Sequence, residues 1–216
     1  MDIRGMIFDL DGTLVDTIDD IMDCTNVALE RLGFPAVSRE TVLENISFVP
    51  SDYVKGVLPP SACTSDNFAA LERAFMELYD RDFCVRSRAF DGMVDTLTEL
   101  KRRGIPLAVC TNKPQTQAAP MIEKLYPAGL FDTVSGKRPE TLKKPDPTSA
   151  LAIAKGWGLP PENIAFVGDS PVDVVTAKNA GMHAVDVTWG YSTPEILRSL
   201  GAEILITRAV QLLVIE

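Results

Sequence analysis

Asp9 and Asp11 close a short apolar run, Ile3-Arg4-Gly5-Met6-Ile7-Phe8, with only Leu10 between them. Side chains of an extended segment alternate, so both carboxylates project to the same side. Two carboxylates crowded at the mouth of a buried sheet repel each other unless a cation or a proton relieves them. A hard divalent ion with oxygen ligands, Mg2+ first of all, meets that need. Gly12 permits a sharp turn after Asp11, and Thr13 adds a hydroxyl. Taken alone, these residues also describe a solvated Asp-Gly turn after an edge strand. Three later segments bear on the choice.

Thr111-Asn112-Lys113 directly follows an apolar run over 105–110. A hydroxyl and a free backbone amide there suit a phosphate oxygen, or plain turn chemistry. In Lys143-Lys144-Pro145-Asp146-Pro147, Pro145 restricts the residue before it, so Lys144 is held with little freedom. A fixed ammonium there would neutralise both a phosphate and a nucleophilic carboxylate, whereas the bland alternative is a solvated basic loop. Gly168-Asp169-Ser170-Pro171-Val172-Asp173 follows a buried run over 164–167, which places Asp169 to complete an oxygen ligand set. Ser170 and Asp173 also have the spacing of a capping box, so Asp173 has two readings, metal site or helix cap.

The elements that must position these groups alternate. Residues 15–86 read as helical, with no convincing strand: Ile18, Ile21, Met22, Thr25, Ala28, Leu29 and Leu32 recur at helical spacing before Gly33. A shorter helix over 52–58 and a second stripe of Phe68, Leu71, Phe75 and Leu78 follow. Beyond residue 87 helices and strands take turns. A helix over 91–103, with Val94, Leu97 and Leu100 inward, precedes a strand over 105–110. Pro114 opens a helix that Pro120 should bend or shorten. A strand over 131–135 follows, then a helix with Asp146 as N-cap and Pro147 at its first position. Strands over 164–167, 182–187 and 203–206 alternate with helices from Pro171 and Pro194. The pattern predicts an α/β fold, a Rossmann-like doubly wound parallel sheet in residues 1–14 and 87–216, with an inserted all-helical domain in 15–86. Such sheets bind ligands beyond the carboxyl ends of their strands, and the insert begins where it could act as a lid.

Composition narrows the class. The 216 residues carry a net charge of −9 and a pI near 4.7, which argues against a nucleic-acid partner. No apolar run approaches membrane length. Cys24, Cys63, Cys84 and Cys110 have neither close pairing nor zinc-ligand spacing, as expected of a reduced, cytoplasmic chain. The one histidine, His183, stands alone and reads as a packed or loop residue.

The four acidic, hydroxyl and lysine segments at successive strand ends resemble the four motifs of the haloacid dehalogenase superfamily of phosphotransferases. The resemblance covers nearly the whole chain, and the insert resembles that family's helical cap. Phe90-Asp91-Gly92 and Val187-Thr188-Trp189-Gly190-Tyr191 are similar to its phosphoglycolate phosphatase branch. The resemblance implies that Asp9 is the nucleophile, forming an aspartyl phosphate, and that Asp11 is the general acid and base. It implies Mg2+ on Asp9, the backbone carbonyl of Asp11 and Asp169, with Asp173 joining the metal site. Thr111, the backbone at Asn112, and Lys144 would hold the phosphoryl group, Lys143 being the less suited lysine. The implied partner is a small phosphorylated metabolite, for a monomer or homodimer.

Departures from related branches matter. The dehalogenases lack the second acid of the first motif, which this chain has. β-Phosphoglucomutase, similar in fold, carries a cap histidine where this chain has Ile21 and Met22. Phosphonoacetaldehyde hydrolase uses a cap lysine, and Lys55 is the sole lysine of the insert, in surroundings unlike that family's. Phosphoglycolate phosphatases place glycines where this chain reads Asn45-Ile46-Ser47-Phe48-Val49-Pro50, so the substrate stays open; Ser47 and Ser51 are conceivable contacts. From another class, a phosphoacceptor receiver domain combines acids, a Thr and a Lys-Pro step around Mg2+, but its acceptor lies on a middle strand. A family member that binds without turnover is the remaining alternative.

Overall fold

The computed structural model describes residues 1–46 and 50–215, with side chains at 50–52 also outside the description; Ser47 and the Ser51 side chain therefore lie outside it. The chain divides into two compact units, residues 1–16 with 89–216, and residues 17–88.

The first unit is built on six parallel strands: β1 (Gly5–Phe8), β4 (Leu107–Pro114), β5 (Thr133–Lys137), β6 (Ile164–Gly168), β7 (His183–Val187) and β8 (Ile204–Ile206), ordered β5-β4-β1-β6-β7-β8. Short strands β2 (Val15–Asp16) and β3 (Arg88–Ala89) mark where the chain leaves and returns. β1 and β6 are buried along their whole length, the signature of strands covered on both faces. Ile7, Ala108, Phe166 and Ala184 share one core layer with Val174 and Leu197. Five helices accompany the sheet: α5 (Met93–Arg102), α6 (Gln115–Leu125), α7 (Thr148–Trp157), α8 (Pro171–Ala180) and α9 (Pro194–Ser199). Strand order runs outward from β1 to β5, then resumes on the other side of β1 with β6. The carboxyl ends of β1 and β6 therefore flank a topological switch point, the usual ligand crevice of such sheets.

The second unit is built, among the described residues, on helices α1 (Ile18–Arg31), α2 (Arg39–Asn45), α3 (Pro50–Val57) and α4 (Ser65–Asp82). α1 buries Ile18, Ile21, Cys24, Ala28 and Leu29, and α4 buries Leu71, Phe75, Leu78 and Tyr79. Each buried Leu, Ile or Phe contributes about 1.5–3 kcal/mol of transfer free energy. Tyr53 packs on Phe75, and its hydroxyl pairs with Thr25 Oγ1 at 2.6 Å. Buried Asp20 accepts from the main-chain N–H of Val85, Arg86 and Ser87, which fixes the segment that ends this unit.

Several local expectations need correction. β4 runs on through Thr111, Asn112 and Lys113 instead of ending at Cys110. Its ladder with β5 loses regular register between Cys110 and Pro114, a local irregularity of the kind that re-aims side chains. α6 passes through Pro120 without being shortened there. Thr148, not Pro147, opens α7, because Asp146 Oδ1 accepts from Thr148 N at 2.9 Å and holds the preceding turn. In α5 the inward face begins with Met93 and Thr96, not Val94. His183 starts β7, with its ring nitrogens on Glu203 Oε2 and Glu162 O. All four cysteines are free thiols. No helix among the described residues is long and apolar enough to cross a membrane.

Candidate active site

Asp9 N donates to Val167 O at 2.9 Å, carrying the β1–β6 pairing one step past β1 and fixing the backbone that bears this carboxylate. The chain then folds tightly. Leu10 O accepts from Leu14 N and Val15 N, and Gly12 N donates to Val15 O, with Gly12 at φ +82°. A side chain at Gly12 would be strained by that φ and would also overlap the Asp169 carboxylate. Trp189 Nε1 donates to Thr13 O at 3.2 Å, which ties the loop after β7 to the same turn.

The remaining groups arrive from neighbouring strand ends. Asp169, after β6, is fully buried; its Oδ1 accepts from Thr13 Oγ1 and its Oδ2 from Tyr191 N, both at 2.8 Å. A Cβ at Gly190 would strike Asp169, and one at Gly168 would strike Asp173, so glycine at both places makes room for the acids. Asp173 is a helix cap, and its second oxygen also faces the site. With Ser170 it completes a capping box on α8, and its Oδ1 stands 2.6 Å from Lys144 Nζ. Lys144 is buried, while Lys143 beside it is exposed, so Lys144 is the lysine that enters the site. Its Nζ lies 2.8 Å from Asp9 Oδ1, although that oxygen makes no aligned hydrogen bond. Asp11 points instead to Lys113, whose Nζ is 3.0 Å from its Oδ1. Thr111 is buried, and its Oγ1 accepts from Lys113 N at 3.2 Å.

The electrostatics are those of crowded acids out of water. Burial, with Asp173 and Asp11 adding to it and Lys144 opposing, lifts Asp9 to about 6. Asp169 is raised well above the carboxylate range by burial and by Asp173 and Asp9, against the hydrogen bonds from Tyr191 and Thr13. For Lys144, burial pulls downward but Asp173 and Asp9 outweigh it and hold the ammonium above its ordinary value. Burial pushes the Cys110 thiol up to about 12, which keeps this neighbour neutral. One lysine among three buried carboxylates leaves negative charge in excess. Oxygens of Asp9, Asp169 and Asp173 lie within 4.8 Å of one another, a hard-oxygen set that fits a divalent cation such as Mg2+.

The structure therefore brings Asp9, Lys144, Asp169 and Asp173 into direct or near contact, with Thr111, Asn112 and Asp11 at the same strand ends. Two groups were not anticipated. Lys113 sits two residues from Thr111 on β4 and both are buried, a placement hidden in the sequence because the strand reads as ending at Cys110. Asp186 is buried inside β7, and burial with the charge of Asp173 pushes it up to about 8. A lone acid within the run Ala184-Val185-Asp186-Val187 was the visible sign. In the helical unit, Lys55 is exposed on α3 and Ile21 is buried on α1.

Comparison with known proteins agrees with this geometry. The family model for haloacid dehalogenase-like hydrolases matches residues 6–187. Phosphoglycolate phosphatase 1 of Pseudomonas aeruginosa is 35% identical over 193 residues, spanning 88% of this chain and 71% of its own. N-acetylmuramic acid 6-phosphate phosphatase of Pseudomonas putida is 32% identical over 197 residues, covering 90% and 87%. The crystal structure of a predicted phosphoglycolate phosphatase from Haemophilus somnus 129PT superposes with a TM-score of 0.86 at 29% identity, over 99% of this chain and 97% of that one. The chain thus belongs to the haloacid dehalogenase-like hydrolase family and is a phosphatase within it.

Proposed function

We propose that the chain is a Mg2+-dependent phosphatase that hydrolyses a small phosphomonoester through a phosphorylated Asp9. The observation that carries this is the placement of Asp9: buried at the end of β1, beside the Lys144 ammonium, and facing Asp169 and Asp173. With its pKa near 6, Asp9 is mostly ionised at pH 7, as a nucleophile must be. Its carboxylate oxygen attacks phosphorus while the ester P–O bond breaks. Asp11 gives its proton to the departing oxygen, then takes one from the water that attacks the aspartyl phosphate. That second attack breaks the bond between phosphorus and Asp9 and releases phosphate. Thr111, the main chain at Asn112, and Lys144 hold the phosphoryl group throughout. Asp9, Asp169 and Asp173, with the carbonyl of Asp11, would hold Mg2+, which supplies positive charge against the charge of the transition state.

Two relatives of similar identity carry the names of different substrates, so the substrate is a small phosphorylated metabolite, met in a reducing cytoplasm. Phosphate release from 2-phosphoglycolate, N-acetylmuramic acid 6-phosphate, other sugar phosphates, nucleotides and phosphonoacetaldehyde, with Mg2+ or with chelator, tests this. Metal-dependent turnover that favours one ester is expected. Absence of turnover on every ester, or turnover indifferent to chelation, would contradict it.

A further inference from the structure

The side-chain amide of Asn112 grips the main chain of Lys144 at both of its polar groups. Asn112 Oδ1 accepts from Lys144 N at 2.7 Å, and Asn112 Nδ2 donates to Lys144 O at 3.1 Å. Lys144 lies in a turn, outside every strand and helix, so no ladder of main-chain bonds sets its position. The next carbonyl, Pro145 O, accepts from Asn179 Nδ2 at 2.9 Å, and Asp146 N closes the turn on Lys143 O. Asn112 itself belongs to β4, which pairs with β1 and β5 and is held by the sheet.

That anchorage matters because of where the Lys144 head must be. Its Nζ stands 2.8 Å from Asp9 and 2.6 Å from Asp173, both buried, and the ring of Phe166 lies 5.5 Å away. A side chain with four rotatable methylenes leaving a turn that no strand pairs with would spread its ammonium over several ångströms. The Asn112 amide replaces the missing ladder: it pairs with both polar groups of one residue, as a neighbouring strand would, and so refers the Lys144 backbone to β4.

We infer that Asn112 is a positioning residue for Lys144, acting through its side chain and apart from any contact its main chain makes with phosphate. The inference rests on the phosphatase reading of the site, in which Lys144 holds the transferring group. Reactive geometry displaced by about 1 Å costs on the order of a hundredfold in rate, so loss of this clamp should be visible in kcat.

The test is a double-mutant cycle of Asn112→Ala and Lys144→Met, measured as kcat with saturating Mg2+ on the preferred ester, with thermal unfolding of each variant alongside. Asn112→Ala should fold and lose on the order of 10- to 100-fold in kcat. Added to Lys144→Met, it should cost nothing more, because the group it positions is gone. A loss that merely destabilised the fold would multiply in both backgrounds. Asn112→Ala within twofold of wild type, or its full loss repeated on top of Lys144→Met, would overturn the inference while leaving the phosphatase reading intact. Lys144→Met turning over like wild type would overturn the role given to Lys144 and with it the inference, whereas absence of turnover by the wild-type chain on every ester would overturn the phosphatase reading itself. Should Asn112→Ala fail to fold, the isosteric Asn112→Asp, which keeps the acceptor for Lys144 N and loses the donor to Lys144 O, enters the same cycle; Lys144→Gln likewise replaces Lys144→Met.

Discussion

Lys113 Nζ stands 3.0 Å from Asp11 Oδ1 and 3.4 Å from its Oδ2, an ammonium laid across both oxygens of one carboxylate. The lysine side chain is 4% exposed and that of Asp11 is 25% exposed, so the pair is shielded well beyond an ordinary surface ion pair. Lys113 fixes the direction of the carboxylate to which general acid and base work is assigned. Lys113→Met should lower kcat about tenfold on an alkyl phosphate, whose leaving oxygen needs a proton. It should cost much less on p-nitrophenyl phosphate, whose phenolate leaves unaided. Equal losses on the two esters, in steady-state assays, would place Lys113 elsewhere in the mechanism.

Asp173 is charged with two structural duties and one electrostatic one. Its Oδ2 accepts from Ser170 N, Ser170 Oγ and Asp169 N, and its Oδ1 pairs with Lys144. Asp173→Ala removes those acceptors and half of the buried counter-charge of Lys144. Lys144 keeps Asp9 at 2.8 Å, so the cost falls short of that of an orphaned buried charge and comes to about 2–3 kcal/mol, mainly from the unmet donors of Ser170 and Asp169. Urea unfolding should show a loss of that size, where removal of a cap alone would cost only about 1 kcal/mol.

Much of this was legible in the residue order. Asp9, Asp11, Asp169 and Lys144 are polar residues set close after apolar runs or before a proline, and near-continuous apolar runs alternating with helical stripes announce a parallel sheet. Less legible were features that depend on partners distant in sequence. Nothing near Thr111 tells that β4 continues to Pro114, because that continuation is set by β5 alongside it. Nothing in Asn112 tells that its amide meets Lys144, which lies in a loop reached only after another helix and strand. Pro120 does not shorten α6 because its neighbours pack: Ala118, Met121 and Ile122 are buried on α6, and that packing outweighs one missing main-chain donor.

The three buried acids predict how Mg2+ acts on stability. A cation binding only the folded chain at a hundred times its dissociation constant adds about 2.7 kcal/mol. Thermal unfolding should therefore shift upward by several degrees in millimolar Mg2+. Protons compete for the same oxygens, and Asp9 takes its proton near pH 6, so the shift should be larger at pH 8 than at pH 5. Asp169→Asn should abolish most of it. A shift of equal size in that variant would show that Mg2+ binds elsewhere.

Asp186 offers a test of burial together with the charge of Asp173. Its folded-state pKa of about 8 lies far above the unfolded value of about 3.9, so the folded chain binds the proton more tightly. Such a group lowers stability progressively as pH rises from about 4 to 8, and no further beyond that. Asp186→Asn removes the penalty. Its stability relative to wild type should rise across that window, by on the order of 2–5 kcal/mol at pH 8, and level off above it. A difference independent of pH in parallel denaturation series would contradict the raised pKa.

The first measurement to make is direct trapping of the intermediate. The chain is mixed with Mg2+ and a radiolabelled ester of the class it hydrolyses, then quenched in acid within one turnover. Label should remain on the wild-type chain, be discharged by hydroxylamine as acyl phosphates are, and map to the peptide that contains Asp9. Asp9→Asn should carry none and release no phosphate. Label that persists in Asp9→Asn, or phosphate release by that variant at the wild-type rate, would contradict the assignment of Asp9 as the nucleophile.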